Sequence, residues 1–199
     1  MNKNTFEIND PWQIFVDWFE EAKSKNLPQY NAMMLATCDT NMQPSARMVL
    51  LKSYVGGKFV FFTNYNSRKA LELNKNNKVA LVFYWCKLDK QVRVEGEAKK
   101  VIKEESKKYF QQRERDSQIG AWASKQSARL VDFSELENRF NLYKNKFKAQ
   151  GIIDYPEFWG GYSVVPTKME FWEQQKNRLH HRCLYTNNNG CWQKELLYP

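Results

Sequence analysis

Trp12, Phe15, Val16, Phe19 and Ala22 recur at i, i+3, i+4, i+7 and i+10, the spacing of one buried helix face. Asp10-Pro11 precedes them as an N-cap with proline in the first turn, so a helix is predicted to run to about residue 26. Alternating stretches then predict strands over residues 31–39, 43–55 and 58–64, the last two joined by a Gly56-Gly57 hairpin turn. Ser67 caps a short helix to about residue 75, and residues 78–88 and 91–101 form another strand pair. The middle of the chain reads as helices over 103–112 and 117–124. Ser134 with Glu137 then makes a capping box that opens a helix to about residue 150. Strands return over 161–165 and 168–174 and in a hairpin around Asn187-Asn188-Asn189-Gly190. Six or more strands joined mainly by short turns, with helices between them, predict an α+β, mainly β fold: a small antiparallel barrel decorated by helices.

The chain has 199 residues, which suits one domain over residues 1–199, with residues 1–9 expected to form a flexible arm. The longest apolar run, residues 79–86, is too short to cross a bilayer, and the N-terminus has no apolar stretch that could act as a secretory signal. A cytoplasmic protein without a membrane partner is expected. Lys and Arg exceed Asp and Glu by nine, an excess that asks for an anionic partner or reflects a solvated lysine surface. Cys38, Cys86, Cys183 and Cys191 form no C-x-x-C pair and the chain holds only two His, so no metal site is expected. Cys183 and Cys191 flank the Asn-rich turn and could face each other across it, but all four read as structural thiols.

Four segments could carry chemistry. Ser67-Arg68-Lys69 places two cations in a first helical turn, against the helix dipole. An anion there would reverse that penalty; otherwise both side chains bend into water. In Arg47-Met48-Val49-Leu50-Leu51-Lys52, strand alternation puts Arg47 and Lys52 on opposite faces. They therefore serve two ligands, or one of them is a solvated edge residue. In Arg178-Leu179-His180-His181-Arg182 an extended chain would align Arg178, His180 and Arg182 on one face, near Trp172. That suits a planar phosphorylated ligand, or a basic sheet edge that discourages aggregation. Tyr109 and Arg113 share a helix face, with Asp116 or Ser117 as the cap of the next helix.

The stretches RMVLLK (47–52), FFTNYNSRKA (61–70), RDSQIGAWASKQS (115–127), FWGGYSV (158–164) and EFW…NRLHHR (170–182) together resemble the pyridoxine/pyridoxamine 5′-phosphate oxidase family. The likeness extends from about Asp10 to the C-terminus. It implies a split antiparallel β-barrel homodimer with FMN at the subunit interface. By matching position, Arg47 and Lys69 would hold the FMN phosphate with Arg68, Gln126 and Ser127. Phe62 and Thr63 would lie along the flavin, with Gln91, Trp172 and Arg182 around its ring and ribityl chain, and Met48, Val49, Leu50 and Leu51 would also bind the cofactor. Lys52, Tyr109, Arg113 and Ser117 would bind the substrate phosphate. Arg178 and His180, with Leu179 between them, would set the substrate pyridine over the flavin, Arg178 being closest to the reacting carbon.

The resemblance further implies oxidation of pyridoxamine 5′-phosphate and pyridoxine 5′-phosphate to pyridoxal 5′-phosphate. A hydride passes from C4′ to flavin N5, and O2 is reduced to H2O2. His181 stands where the family usually has an acidic residue, and Glu173-Gln174 replaces a more usual Gln-Gly pair. Two rival readings are a split-barrel FMN-binding protein with a different substrate and a basic nucleic-acid-binding barrel. The first is not expected to carry NRLHxR together with RDSQIGAW. The second predicts colourless protein with salt-sensitive oligonucleotide binding, and no nucleic-acid partner is expected on the main reading.

Overall fold

In the computed structural model, residues 5–199 are described. Helix α1 (Pro11–Ser24) begins as its capping signal predicts: the Asp10 carboxylate accepts from the Trp12 amide at 2.9 Å, and Pro11 occupies a position where no amide is needed. Its apolar face buries Ile14, Phe15, Trp18, Phe19 and Ala22 against the inward side chains of the sheet. Phe15 meets Phe59 edge-on at 4.9 Å and Phe83 at 5.2 Å. Truncating Phe15 to alanine would cost about 3–5 kcal/mol, the range for a large core aromatic.

The strands are β1 (Ala32–Cys38), β2 (Pro44–Leu50), β3 (Phe59–Asn64), β4 (Lys78–Trp85), β5 (Lys90–Lys100), β6 (Trp159–Glu173), β7 (His181–Asn188) and β8 (Cys191–Leu197). All neighbours are antiparallel, in the order β2-β1-β4-β5-β6-β7-β8. β6 organises the sheet. One of its edges pairs with β5 along most of its length, while the other takes β3 over residues 159–164 and β7 over residues 168–173. The barrel therefore splits along β6. β3 also meets the chain after β2 through the Ser53–Val60 bridge, and β7 pairs on its other edge with β8. Gly96 makes the bend possible: a Cβ there would run into the Val165 carbonyl oxygen, and the register shifts at this point.

Several predicted boundaries move. The strand expected over 43–55 stops at Leu50, because Leu51 turns into the core and its amide bonds Asn31 across the end of β1. The strands expected over 161–165 and 168–174 are one strand; Pro166 sits opposite Gly96 at the register shift, where its missing N–H is tolerated. Helices α2 (Arg68–Leu73), α3 (Lys103–Gln111), α4 (Arg115–Ala123) and α5 (Phe133–Lys146) follow the prediction, Ser67 standing at the N-cap of α2 without a side-chain bond, while the caps of α4 and α5 differ. Glu114 precedes α4 in place of Asp116 or Ser117, and Asp132 caps α5 through the Ser134 amide in place of a Ser134–Glu137 box. Cys183 pairs with Leu196 and Cys191 with Asn188, so the two thiols do not face each other, and all four cysteines are free.

A second core, of Phe110, Ile119, Phe147, Ile153 and Trp159, packs α3, α4 and α5 against the start of β6. Residues 1–4 of the expected arm lie outside the described residues. The rest of the arm is tethered: the Tyr185 hydroxyl donates to the Ile8 carbonyl at 2.6 Å, and Lys194 donates to the Phe6 carbonyl and the Asn9 side chain. Among the described residues no helix is long and apolar enough to cross a membrane.

Candidate active site

The second core and the barrel leave a cavity of about 660 Å³ between them. Met48, Val49, Leu50 and Lys52 form one wall, Phe62, Thr63 and Lys69 the floor, and Tyr109, Arg113, Ser117 and Gln126 the helical side. Eleven of the residues singled out in sequence thus meet in one place. Phe62 is the hinge of this arrangement. Its ring stacks on Tyr109 at 4.0 Å and on Trp159 at 5.3 Å, so the strand and helix walls share one aromatic layer.

Three cations line the cavity without a carboxylate partner among the described residues: exposed Lys52, buried Lys69 and half-buried Arg113. Lys69 is buried, and its ammonium donates to Thr63 at 3.2 Å, Gln126 at 3.3 Å and Ser67 at 3.5 Å, all neutral. Burial, reinforced by the Arg47 charge, pushes its pKa down. Arg113 lies over the Trp159 ring at 4.9 Å, burial lowers its pKa too, and its Nη1 is buried with no hydrogen-bond partner among the described residues. An unpaired buried cation costs several kcal/mol unless an anion meets it. The cavity therefore presents two separate anion-accepting points, with Lys52 and Ser117 beside the second.

Arg47 and Arg68 take a different course. Arg47 turns behind the cavity to Thr37, Ser45 and Glu72, and Arg68 bonds Glu72 at 2.8 Å. Glu72, 6% exposed, accepts four donors there. Burial raises its pKa; the Thr37, Ser45 and Arg68 donors and the Arg47 charge more than reverse this and leave it at about 2. The parity separation of Arg47 from Lys52 holds: one points behind the sheet, the other into the cavity. Leu51 is core, and Ser127 does not line the cavity: it is exposed beside Gln126 in a left-handed conformation, φ +71°.

The remaining predicted residues form a second cluster. Gln91, Trp172 and Arg182 are cross-strand partners on β5, β6 and β7, and the His180 ring lies 4.7 Å from Trp172. Glu170 lies beneath them, accepting from Arg182 at 2.8 Å and from Arg93 at 3.0 Å. The extended geometry expected for residues 178–182 is wrong at its start: Asn177 and Arg178 both have positive φ, 57° and 61°, so Arg178 is presented by a tight loop and the strand begins at His181. Arg178 and Leu179 are exposed. His181 points elsewhere, edge-on to Phe6 and 4.0 Å from Glu173. Gln174 ties its amide to the Asp89 carbonyl of the β4–β5 turn.

The two clusters do not meet within one chain. Thr63 pairs with Gly160, and Trp172 lies a dozen residues further along β6, about 40 Å of extended strand. Neither Glu72 nor Glu170 was singled out in sequence, although the i+4 spacing from Arg68 and the shared parity with Trp172 mark both. Nothing in local spacing marks Asn64, Gly120 or Ser124, which also line the cavity. A shallower depression of about 490 Å³, walled by Cys38, Lys78, Glu95 and Thr167, gathers none of the predicted residues.

A barrel split along one long strand is a fold shared with solved structures. The chain superposes with a TM-score of 0.92 on PhzG from Burkholderia lata 383, solved in complex with tetrahydrophenazine-1-carboxylic acid, at 25% identity over 100% of this chain and 98% of that one. It superposes at 0.75 on a pyridoxamine 5′-phosphate oxidase-related, FMN binding protein from Nostoc punctiforme, at 16% identity over 96% and 98% of the two chains. Residues 19–146 match the family described as pyridoxamine 5′-phosphate oxidase, and residues 159–199 the pyridoxine 5′-phosphate oxidase C-terminal dimerisation region. Pyridoxine/pyridoxamine 5′-phosphate oxidases from Colwellia psychrerythraea and Rubrobacter xylanophilus are 48% and 47% identical over 95% and 96% of this chain and 87% of their own length. The chain belongs to the pyridoxine/pyridoxamine 5′-phosphate oxidase family.

Proposed function

We propose that this chain is an FMN-dependent oxidase that converts pyridoxamine 5′-phosphate and pyridoxine 5′-phosphate to pyridoxal 5′-phosphate. It works as a homodimer in which each copy supplies half of each site. The observation that carries this reading is the pair of cations without a carboxylate partner, buried Lys69 and half-buried Arg113, on the floor and the helical side of one aromatic-walled cavity. Two phosphorylated ligands, cofactor and substrate, would satisfy both. The cavity lining suits FMN, with Lys69 and Gln126 for its phosphate and Met48, Val49, Leu50, Phe62 and Thr63 along its plane; Arg47 and Arg68, held by Glu72, would act from behind the cavity, and Leu51 stays in the core. Lys52, Tyr109, Arg113 and Ser117 hold the substrate phosphate.

The separation along β6 leaves this cavity without Gln91, Trp172, Arg178, Leu179, His180 or Arg182, so the other copy of the chain contributes them. The match of residues 159–199 to a dimerisation region supports this assembly. When bound, FMN supplies hydride acceptance from C4′ at N5 and delivery of the electrons to O2, giving H2O2. The protein anchors both phosphates, which leaves the pyridine little freedom, and lays Arg178 and His180 over the reacting carbon.

The test is the visible spectrum of the purified protein before and after anaerobic addition of pyridoxamine 5′-phosphate. A flavin spectrum that bleaches and returns on admitting air is expected. A flavin that stays oxidised would overturn the substrate, and colourless protein that takes up no FMN would overturn the reading altogether.

A further inference from the structure

The β6–β7 connection must reverse the chain between Glu173 and His181, which pair across the two strands. It does so by placing Asn177 and Arg178 consecutively in the left-handed region. Asparagine tolerates that conformation; arginine does so at a cost of about 1–2 kcal/mol. Something must therefore hold the loop closed. One clasp is internal, from the Leu179 amide to the Lys176 carbonyl at 3.1 Å. The other is a side chain: the Gln175 amide donates to His180 Nδ1 at 3.1 Å, spanning the turn from its second residue to its last. The Trp172 ring backs the imidazole at 4.7 Å.

A backbone N–H can only donate, so Nδ1 must present its lone pair. The neutral ring then carries its proton on Nε2. We propose that His180 is a positioning residue that latches the loop carrying Arg178, working as the neutral Nε2–H tautomer. To take up a proton, the ring would have to do so at Nδ1, setting N–H against N–H, and moving the existing proton to Nδ1 would break the same bond. His180 therefore serves the reaction as a latch and as a hydrogen-bond donor through Nε2, not as the proton-accepting base. The charged and titratable side chains on the segments that meet here are Asp89, Lys90, Glu173, Lys176, Arg178, His181 and Arg182. The weight placed on Arg178 rests on the oxidase reading; the latch itself does not.

The chain holds only two histidines, which makes the tautomer directly readable. On the full chain as purified, labelled with 15N-histidine at pH 8 and without substrate, long-range 1H–15N correlation is expected to show His180 Nδ1 as pyridine-like and Nε2 as pyrrole-like. His181→Gln assigns the two rings. A protonated Nδ1, or the averaged shifts of a freely exchanging imidazole, would overturn the latch. A second measurement compares His180→Asn, whose amide oxygen falls near the Nδ1 position, with His180→Gln, whose amide nitrogen falls near Nε2. The Asn variant should keep a kcat about tenfold above the Gln variant, the worth of one hydrogen bond. Equal values or the reverse order would overturn the proposal. A fixed tautomer in a protein that leaves pyridoxamine 5′-phosphate unoxidised would sink the oxidase reading and leave the latch standing.

Discussion

Glu72→Gln isolates the carboxylate that holds Arg47 and Arg68 behind the cavity. Its carboxyl is lowered from an ordinary 4.5 to about 2, and each unit is worth about 1.36 kcal/mol, so ionised Glu72 contributes about 3 kcal/mol to folding at pH 7. The sign follows from the direction. A depressed pKa adds stability that is complete above the unfolded value and is lost as pH falls through the folded one. At pH 3 the contribution has dropped to about 1.5 kcal/mol, and near pH 2 it is almost gone. Glutamine keeps the shape and one acceptor but leaves Arg47 without its ion pair. Unpairing a buried charge costs about 3–5 kcal/mol, so the two routes agree in size. Urea denaturation of both proteins, at one protein concentration because the dimer makes stability concentration-dependent, should give this difference at pH 7 and about half of it at pH 3. A difference below about 1 kcal/mol at pH 7, or one that does not shrink with acid, would refute the reasoning.

Arg113→Met should leave the melting temperature of the ligand-free protein unchanged or raised, because it removes an unsatisfied buried donor, while raising KM for pyridoxamine 5′-phosphate about 100-fold; a melting point lowered by several degrees would count against it. Lys69→Met should weaken FMN binding about 10- to 100-fold in a fluorescence titration, the loss of a charge-assisted contact in a buried site, and unchanged affinity would remove Lys69 from the phosphate site. Tyr185→Phe should cost about 1 kcal/mol and speed proteolytic cleavage within residues 5–10, since the Ile8 carbonyl loses its donor; an unchanged cleavage rate would show that Tyr185 does not hold the arm. Arg113→Met and Arg178→Ala chains, refolded together in equal amounts, should recover about a quarter of wild-type activity. Half the dimers are mixed and one of their two sites is intact. No recovery would place both halves of the site in one chain.

Much of the cavity was legible because its residues sit in short segments with strong local rules. RMVLLK alternates as a strand must, and Tyr109 and Arg113 share a face because they are four apart on a helix. The net charge was less informative than it looked. Four arginines (Arg47, Arg68, Arg93 and Arg182) are held by two carboxylates, Glu72 and Glu170, so the cations left for ligands are a few that no charge count identifies. The alternation rule failed at Arg178 because it assumes an extended chain, and the loop that reverses between β6 and β7 abandons extension at Asn177.

The amino-acid sequence by itself determined which stretches form strands and helices, which of their faces are apolar, and which residue types could meet phosphate. These follow from periodicities of two and 3.6 residues and from caps and turns, all set by atoms a few bonds apart. Only the tertiary structure decided that β6 carries β3 on one half and β7 on the other, that Arg47 turns to Glu72 while Lys69 enters the cavity without a carboxylate, and that the two clusters of predicted residues lie toward opposite ends of one strand. Strand partners, register and the pairing of buried charges depend on residues far apart in sequence, and their energies exist only once the core has brought those residues together.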